Sequence, residues 1–325
     1  MDLVDTLRKK IDSLEDGAHV PGLKAVLLHL ETAFRHLSRG QDSDDDTAFT
    51  DAIYRTNQAF EGSIKEAYRV LADQDPAKKR PYDIENYLEH SNVFRSRVLS
   101  QLTTYRTEWR NPSAHDYKLD FDESEAFLAI VSVSAFACLL LDEIAERLAF
   151  KKSRAEAEAQ RVVLAARLEG AQQADLLVRV AELLTQFCSL HVTPSTVSAR
   201  QSEVQVIGAL HGFLSSTAAE LQVQTEVKLD AQRFFRADLL IARGDDRVVV
   251  ELKRVFTGKN YENAIAQVEQ YLRISGIKSG VLLFLPEAPS EMDKVELKIG
   301  GIDGRLVVLT PFGTKLPLRR TASGG

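Results

Sequence analysis

Three ionisable side chains, Asp238, Glu251 and Lys253, lie in otherwise apolar segments of the last third of the sequence. In the segment RVVVELK, the two-residue period of a strand puts Val249, Glu251 and Lys253 on one face and apolar side chains on the other. Charged groups at the end of a buried strand are unfavourable unless they bind something. Carboxylates and a lysine in this arrangement are suited to holding a divalent cation and to stabilising charge on a phosphate.

Asp238 belongs to the preceding apolar run, thirteen residues before Glu251. A hairpin turn through Gly244 and Asp245 can close that distance, so that the two carboxylates share one metal ion. These residues alone leave a second interpretation open. An E-x-K sequence on a strand can also be a solvent-facing ion pair between Glu251 and Lys253 that binds no ligand.

The surrounding pattern predicts the elements that must position these side chains. Short β-branched runs alternate with turn residues, and they are preceded and interrupted by helical periodicity. The predicted elements are a helix from 195 to about 220, strands over 223–229, 234–242 and 247–253, a helix over 260–274, and strands over 280–285 and 305–309.

This order of elements, with acid, acid and lysine at Asp238, Glu251 and Lys253, resembles the core of the PD-(D/E)XK nuclease superfamily. The resemblance implies a restriction-endonuclease-like α/β domain with a mixed central sheet. It also implies that Asp238 and Glu251 hold Mg²⁺ or Mn²⁺, and that Lys253 orients or deprotonates the attacking water. The implied substrate is DNA.

Three more positions fit the same resemblance. Glu203 extends an apolar helical stripe that is expected to face inward, where it resembles the family's additional metal-ligating glutamate. Gln267 and Tyr271 are one helical turn apart and match the QxxxY signature of the exonuclease-like branch. A solvated Glu203 and a Tyr271 that only packs in the core are the alternatives. Four basic residues are expected to contact phosphates around the site: Arg233, Arg236, Arg254 and Lys259.

Residues 1 to about 184 show helical periodicity without strand-like alternation, so they predict an all-α helical bundle. The acidic run 42–46, together with Gly40, is interpreted as an inter-helix loop, and so is the stretch 73–81. Asp122 with Glu125 forms a capping box that starts a long apolar helix predicted to end near Arg147.

The segment TEWRNPSAHDY contains a second constellation in this helical half. Asn111 followed by Pro112 indicates an N-cap and a first helical position. His115 is then expected in the first turn of a helix, where free backbone N–H groups favour a phosphate near Arg110 and His115. A lone arginine and histidine are otherwise usually structural.

The Arg110-to-His115 spacing, with Asn111 after the arginine, resembles the RxxxxH motif of the HEPN superfamily, whose helical domains often act as metal-independent ribonucleases. The resemblance implies a homodimer with two motifs at the interface. His115 is implied to be a general acid or base, Arg110 to stabilise phosphate charge, and RNA to be the substrate. Glu61 is a candidate polar partner of His115. The alternative is a bundle kept for dimerisation or binding, with an inactive site.

The composition further restricts the class of protein. The 325 residues carry 44% hydrophobic residues and a net charge of −6, which fits a globular protein and does not favour bulk electrostatic coating of nucleic acid. Cys138 and Cys188 are far from any metal-ligand spacing. The N-terminus lacks a signal-peptide pattern, and the apolar run 126–141 is too short for a bilayer span, so a cytoplasmic protein without a membrane role is expected.

These observations predict a dual nuclease of the α plus α/β class. The predicted domains are a HEPN-like helical domain over 1–150, a helical linker over 151–194, a nuclease domain over 195–318 and a disordered tail over 319–325. Proteins that resemble these two families often serve in prokaryotic defence, so that role is expected by analogy. Two alternatives remain open: a DNA nuclease whose helical half only dimerises or regulates, and a non-catalytic nucleic-acid-binding regulator.

Overall fold

The chain divides into two compact units, Met1–Leu148 and Ala149–Gly325. The division falls within one long helix, so that the predicted boundary at residue 150 lies close to it. The computed structural model describes residues 3–43, 45–91, 93–115, 120–190, 202–230, 235–254 and 257–315. The predicted tail over 319–325 and residues 191–201, where a helix start was predicted at Ser195, lie outside the described residues.

The first unit is helical, as its periodicity predicts. Helices α2 and α3 are amphipathic and bury their apolar faces together with α7 in one core, in which Phe60 stacks on Tyr105 and contacts Phe136. The helices are α1 Leu3–Asp12, α2 Val20–Ser43, α3 Thr47–Leu71, α4 Pro81–His90, α5 Ser96–Tyr105, α6 Asn111–His115 and α7 Glu123–Ala159.

The prediction of an inter-helix loop at Gly40 and residues 42–46 is wrong for Gly40 and for residues 42 and 43, which are helical. Helix α2 continues to Ser43, and α3 begins at Thr47. Gly40 lies inside α2 because Phe49 of α3 packs directly on it: a Cβ at position 40 would lie 2.4 Å from the Phe49 ring. The glycine therefore permits a close approach between helices, which a sequence pattern does not distinguish from a turn. The stretch 73–81 is an inter-helix connection, as predicted, with a 3₁₀ turn at Pro76–Lys78.

The capping box that starts α7 is present. The backbone N–H of Asp122 donates to Glu125 Oε2 (2.9 Å), and that of Glu125 donates to Asp122 Oδ1 (2.8 Å). The helix continues past the predicted end at Arg147 to Ala159. It is long and apolar enough to cross a membrane by length and composition alone, but half of its most apolar window is buried within the protein. A buried core helix has the same composition.

The second unit contains a six-stranded mixed sheet in the order β1-β2-β3-β4-β6-β5. Strand β2 is antiparallel to both of its neighbours, β1 and β3, whereas β4 is parallel to β3 and β6, and β5 is antiparallel to β6. Its helices are α8 Arg161–Leu168, α9 Leu176–Leu190, α10 Glu203–Thr217 and α11 Gly258–Ser275. Its strands are β1 Gln222–Lys228, β2 Arg236–Arg243, β3 Asp246–Lys253, β4 Ser279–Phe284, β5 Met292–Ile299 and β6 Gly304–Pro311.

Helices cover both faces of this sheet. Helices α8, α9 and α10 bury one face, which includes Val248, Val250 and Leu252 of β3. Helix α11 buries the other face, against Val249. The alternation predicted for RVVVELK is thereby confirmed. Residues 151–190, predicted as part of a linker, instead contribute α8 and α9 to the core of this unit.

Gly212 lies at a close contact between two helices of the second unit. A Cβ at this position of α10 would lie 2.2 Å from the backbone oxygen of Phe150 in α7. We expect Gly212→Ala to lower the free energy of unfolding by about 2 kcal/mol, because overpacking outweighs the gain of about 1 kcal/mol in helix propensity. Thermal unfolding should show a lower Tm. Gly170→Ala is the matched control, since nothing lies within 4 Å of its Cβ position, and an equal loss in both variants would contradict the packing argument.

Candidate active site

The two central carboxylates lie on neighbouring strands. In the β2–β3 hairpin, Leu239 pairs with Val250, and one further step of that register places Asp238 opposite Glu251. The turn contains Gly244 with a φ of +60°, a conformation that favours glycine, so the connection is the one predicted. Asp238 Oδ2 also accepts a hydrogen bond from the backbone N–H of Leu252 (2.7 Å), which fixes this carboxylate against β3.

Glu251 is the most buried charged residue of this group, with only 4% of its surface exposed. Lys253 Nζ donates to its Oε1 (2.7 Å), and Gln267 Nε2 donates to the same oxygen (2.9 Å). Within the described part of the chain, Glu251 Oε2 is buried and has no hydrogen-bond partner. A buried carboxylate oxygen without a partner is unfavourable, so a ligand at this oxygen would stabilise the arrangement.

The ionisation of the two carboxylates reflects their burial and mutual repulsion. Burial, and then the charge of Glu251, raise the pKa of Asp238 to about 7. Burial also raises the pKa of Glu251, against the hydrogen bond and charge of Lys253. Burial lowers the pKa of Lys253, but the hydrogen bond and charge of Glu251 outweigh it, and the net pKa is raised. Lys253 is therefore an ammonium group at neutral pH.

Helix α11 supplies the side chains predicted by the QxxxY spacing. The Thr257 side chain caps this helix by accepting from the Asn260 N–H, and its apolar residues cover the sheet face that carries Glu251. Gln267 therefore points at Glu251, and it also donates to the Tyr271 hydroxyl. Burial, the main cause, and the negative charge of Glu251 raise the pKa of Tyr271. The structure thus brings Gln267 and Tyr271 to the carboxylates.

Glu203 does not face inward, as its apolar stripe predicted. It is exposed in the first turn of α10, whereas Ile207 and Leu210 further along the stripe are buried. Helical periodicity identifies the face of a residue, but it does not show how far the core extends along the helix. Glu203 is nevertheless near enough that its charge raises the pKa of both Asp238 and Glu251.

The basic residues expected around the site have different environments. Arg236 Nη1 pairs with Glu226 Oε2 of β1 (3.0 Å), so its charge is already partly neutralised. Sequence reasoning missed Glu226, which has a φ of +49° and lies across from Asp238 in the β1–β2 register. A positive φ in a non-glycine strand residue has no signal in the sequence. Arg233 lies outside the described residues.

The donor set fits a divalent cation. Asp238 and Glu251 offer hard carboxylate oxygens, and Glu251 Oε2 has no hydrogen-bond partner among the described residues. Burial and mutual repulsion disfavour the ionised carboxylates, and a cation bound to them would favour the ionised forms. In the described ranges, no three His, Cys, Asp or Glu side chains lie close enough together to form a complete ligand set. The two strand carboxylates are thus the protein ligands that the geometry supports, and Glu203 adds long-range negative charge.

A second polar site lies in the first unit, around Arg110. A groove with a volume of about 640 Å³ is lined by α2, α3 and α6, and Arg110 lies at one side. Arg110 Nη1 donates to Asn111 Oδ1 (3.0 Å), and its Nη2 lies 4.0 Å from Glu61 Oε1 and 3.8 Å from Glu85 Oε1. Glu85 is buried, and burial raises its pKa. Glu61 is thus next to Arg110; the His115 side chain, for which Glu61 was proposed as a partner, lies outside the described residues.

The prediction that Asn111 is an N-cap is wrong. Asn111 has helical φ and ψ, and a π-helical turn at Arg106–Arg110 joins α5 to α6 without interruption. The Asn111 N–H bonds to the Arg106 carbonyl, and this wider turn accommodates Pro112, which has no N–H to donate. Free N–H groups of a helix start therefore do not face a phosphate here. π turns are frequent at functional sites, so the motif is still a candidate functional site.

A buried hydrogen-bond network supports this turn. Asn57 Nδ2 donates to Ser113 Oγ (2.8 Å), and Ser113 donates to the Trp109 carbonyl (2.8 Å). The Tyr105 hydroxyl bonds to Asn57 Oδ1 (3.0 Å), and burial raises the pKa of this phenol. The network fixes the backbone that carries Arg110. Sequence reasoning did not identify Asn57 or Ser113, because their contact joins two helices that are far apart in the chain.

Comparison with known proteins supports the interpretation of the second unit. Residues 209–295 match the family model of the PD-(D/E)XK nuclease superfamily. The matched segment runs from α10 into β5, and it contains Asp238, Glu251, Lys253, Gln267 and Tyr271. No curated protein and no solved structure compared with the chain matches it significantly. The match supports a nuclease function and a nucleic-acid substrate for this unit, and nucleases of this superfamily generally use divalent metal ions.

The Gln267 contact gives a testable expectation. Gln267→Ala removes the amide that orients Glu251, so metal affinity should fall about 10- to 100-fold, as for other groups that orient metal ligands. Isothermal titration with Mn²⁺ measures this change. Gln270→Ala is the matched control, because Gln270 is an exposed glutamine on the same helix. Equal affinities in the two variants would show that the amide does not act on Glu251.

Proposed function

We propose that the second unit is a divalent-metal-dependent nuclease that hydrolyses phosphodiester bonds in DNA. The observation that carries this proposal is the pair of buried Glu251 and half-buried Asp238 on adjacent strands, with a partnerless Oε2 on Glu251 and Lys253 beside it. A surface ion pair, the alternative interpretation of the E-x-K sequence, does not require a second carboxylate in the site or a contact from Gln267.

Each residue has a distinct role in this proposal. Asp238 and Glu251 hold Mg²⁺ or Mn²⁺, which supplies positive charge to the scissile phosphate and makes a nearby water more acidic. Lys253, as an ammonium group, orients the attacking water and stabilises charge that develops on the phosphate oxygens. Gln267 and Tyr271 keep Glu251 in position, and Glu203 is an auxiliary acid at the edge of the site. Arg254 and Lys259 are the proposed phosphate contacts.

We propose a second activity for the first unit, metal-independent cleavage of RNA by a HEPN-like homodimer. The supporting observation is the Arg110 groove, which is large enough for a nucleotide and which has cationic side chains in its lining. Arg110 stabilises charge on the scissile phosphate, and His115 transfers a proton. By analogy with proteins that carry both kinds of domain, we propose a cytoplasmic effector of prokaryotic defence.

A cleavage panel tests both activities together. Purified full-length protein is incubated with single- and double-stranded DNA and RNA, in Mg²⁺, in Mn²⁺ and in EDTA. We expect DNA products only with a metal ion and RNA products also in EDTA. If every activity is lost in EDTA, the first unit only dimerises or regulates. If nucleic acid binds but no combination gives products, the protein is a binding regulator.

A further inference from the structure

The Arg110 groove contains a histidine that the RxxxxH motif does not include. His36 projects from α2 into the groove, opposite side chains of α3 that recur at helical spacing and close to Arg110 and Ala114 of the following helices. These α3 side chains are Asp51, Tyr54, Arg55, Asn57, Gln58 and Glu61.

A carboxylate lies close to this histidine. His36 Nδ1 is 3.7 Å from Asp51 Oδ2, which is longer than a hydrogen bond, and Asp51 is itself held by a hydrogen bond from Arg39 Nη2 (2.8 Å). Because Nδ1 is the nitrogen on the Asp51 side, Nε2 is the ring nitrogen on the side left for a ligand. A carboxylate beside one imidazole nitrogen, with the other nitrogen facing a substrate, is a recurring arrangement for proton transfer.

The rest of the groove suits a nucleotide. Arg55 forms no ion pair within the described ranges, so its guanidinium is available to a phosphate. Arg110 lies in the same groove, and its charge is shared with Glu61 (4.0 Å) and Glu85 (3.8 Å). Tyr54 is 53% exposed, and an exposed aromatic ring next to cations is a stacking surface for a base. Imidazole, two guanidinium groups and an aromatic ring in one groove are together the groups that act on a phosphodiester.

We propose that His36, beside Asp51 in the Arg110 groove, is a catalytic residue there and serves as the base that accepts the ribose 2′-hydroxyl proton. This proposal rests on the proposed RNA cleavage by the first unit. His36 takes the role of the base, so the role of the acid falls to His115, the histidine of the RxxxxH motif.

The reaction is a transesterification in which all atoms are accounted for. The 2′-hydroxyl proton passes to His36 Nε2 while the 2′-oxygen forms a bond to phosphorus. The bond from phosphorus to the 5′-oxygen breaks, and that oxygen takes a proton from His115. The products are a 2′,3′-cyclic phosphate and a free 5′-hydroxyl end. No metal ion and no oxidant or reductant is consumed.

The protonation of His36 agrees with this role. Burial lowers its pKa, and Arg39, Arg55 and Arg35 lower it further, while Asp51 alone acts in the opposite direction. The ring is therefore neutral at pH 7 and can accept a proton. Its charged neighbours on α2 are Arg35 and Arg39, and those on α3 are Asp51 and Arg55.

The experiment compares matched histidine variants. Cleavage of an oligodeoxynucleotide with a single ribose is measured in EDTA for the wild type, His36→Asn, His29→Asn and Arg110→Ala. We expect His36→Asn to cleave at least about 100-fold more slowly, the usual contribution of a general base. His29 lies on the same helix, is partly buried and does not line the groove, so His29→Asn should keep the wild-type rate.

Two outcomes separate this inference from the proposed function. If Arg110→Ala abolishes cleavage but His36→Asn retains it, His36 is not the base, while the RNA activity stands. If the wild type gives no cleavage in EDTA, both proposals are overturned. Product analysis adds a check, because 3′-hydroxyl ends, in place of a 2′,3′-cyclic phosphate or the 3′-phosphate formed by its hydrolysis, would exclude attack by the 2′-oxygen.

A pH profile keeps the test valid if His36→Asn does not fold. Asp51 is half exposed and Asp51→Asn should fold. Loss of its charge lowers the pKa of His36, so the acidic limb of the rate profile should move to lower pH. An unchanged acidic limb would overturn the assignment of His36.

Discussion

Lys253→Met should lower the rate of the proposed metal-dependent DNA cleavage about 100- to 1000-fold, because it removes a charge that is proposed to act on the transition state in a partly buried site. Methionine keeps most of the length and volume of lysine, so the packing of β3 should change little. The ammonium group is 2.7 Å from Glu251 Oε1 and supplies the only lysine contact to that carboxylate among the described residues. Single-turnover cleavage of a labelled DNA duplex measures the effect.

The control for this variant is Lys298→Met. Lys298 is exposed on the edge strand β5, away from the carboxylate pair, so its replacement should leave the cleavage rate within about twofold, as for a surface residue. Mn²⁺ titration then separates binding from chemistry. A Lys253→Met protein that cleaves DNA at the wild-type rate would reduce Glu251 and Lys253 to a structural ion pair.

The central site was predictable because its signals are local. A strict two-residue period in β3 assigns Glu251 and Lys253 to one face, and a glycine turn at the right distance brings β2 alongside. The Gln267 and Tyr271 spacing likewise assigns both to one face of α11. These predictions use only the repeat of a strand or a helix, so they need no knowledge of distant contacts.

Features that depend on distant contacts were not predictable in the same way. Strand β5 is an exception, because it was missed although Val295, Leu297 and Ile299 alternate with Glu296 and Lys298 in the local two-residue period of a half-exposed edge strand. The π turn before Pro112 was interpreted as a helix start, since Asn-Pro is typical of one. The burial of Glu85 next to Arg110 has no local signal, because α4 and the π turn meet only in the folded bundle.

Asp238→Asn should abolish the proposed DNA cleavage and yet stabilise the metal-free protein at pH 8. The folded state raises the pKa of Asp238 to about 7, so holding this group ionised at pH 8 costs stability that an uncharged asparagine does not lose. We expect a gain on the order of 2 kcal/mol and a Tm higher by several degrees. The asparagine side-chain oxygen can still accept the Leu252 N–H, so the β2–β3 contact is kept.

The pH dependence of stability determines whether Asp238→Asn stabilises or destabilises the protein. An acid whose folded pKa is raised binds its proton more tightly when folded, so the protein loses stability as pH rises from the unfolded pKa of about 4 through the folded value near 7. The advantage of Asp238→Asn should therefore be full at pH 8 and small at pH 5. Asp303→Asn, at an exposed turn, should show no such difference.

Metal binding should reverse the order of thermal stability, so that the wild type becomes more stable than Asp238→Asn. A cation between Asp238 and Glu251 removes their repulsion, and it stabilises the folded state in proportion to the logarithm of its concentration above Kd. Saturating Mn²⁺ should therefore raise the Tm of the wild type at pH 8, whereas Asp238→Asn should gain little. Thermal unfolding of both proteins, in EDTA and in Mn²⁺ and at both pH values, measures these differences in Tm. If the wild type gains no stability from Mn²⁺ and is already as stable as Asp238→Asn in EDTA, the carboxylate pair is not a cation site.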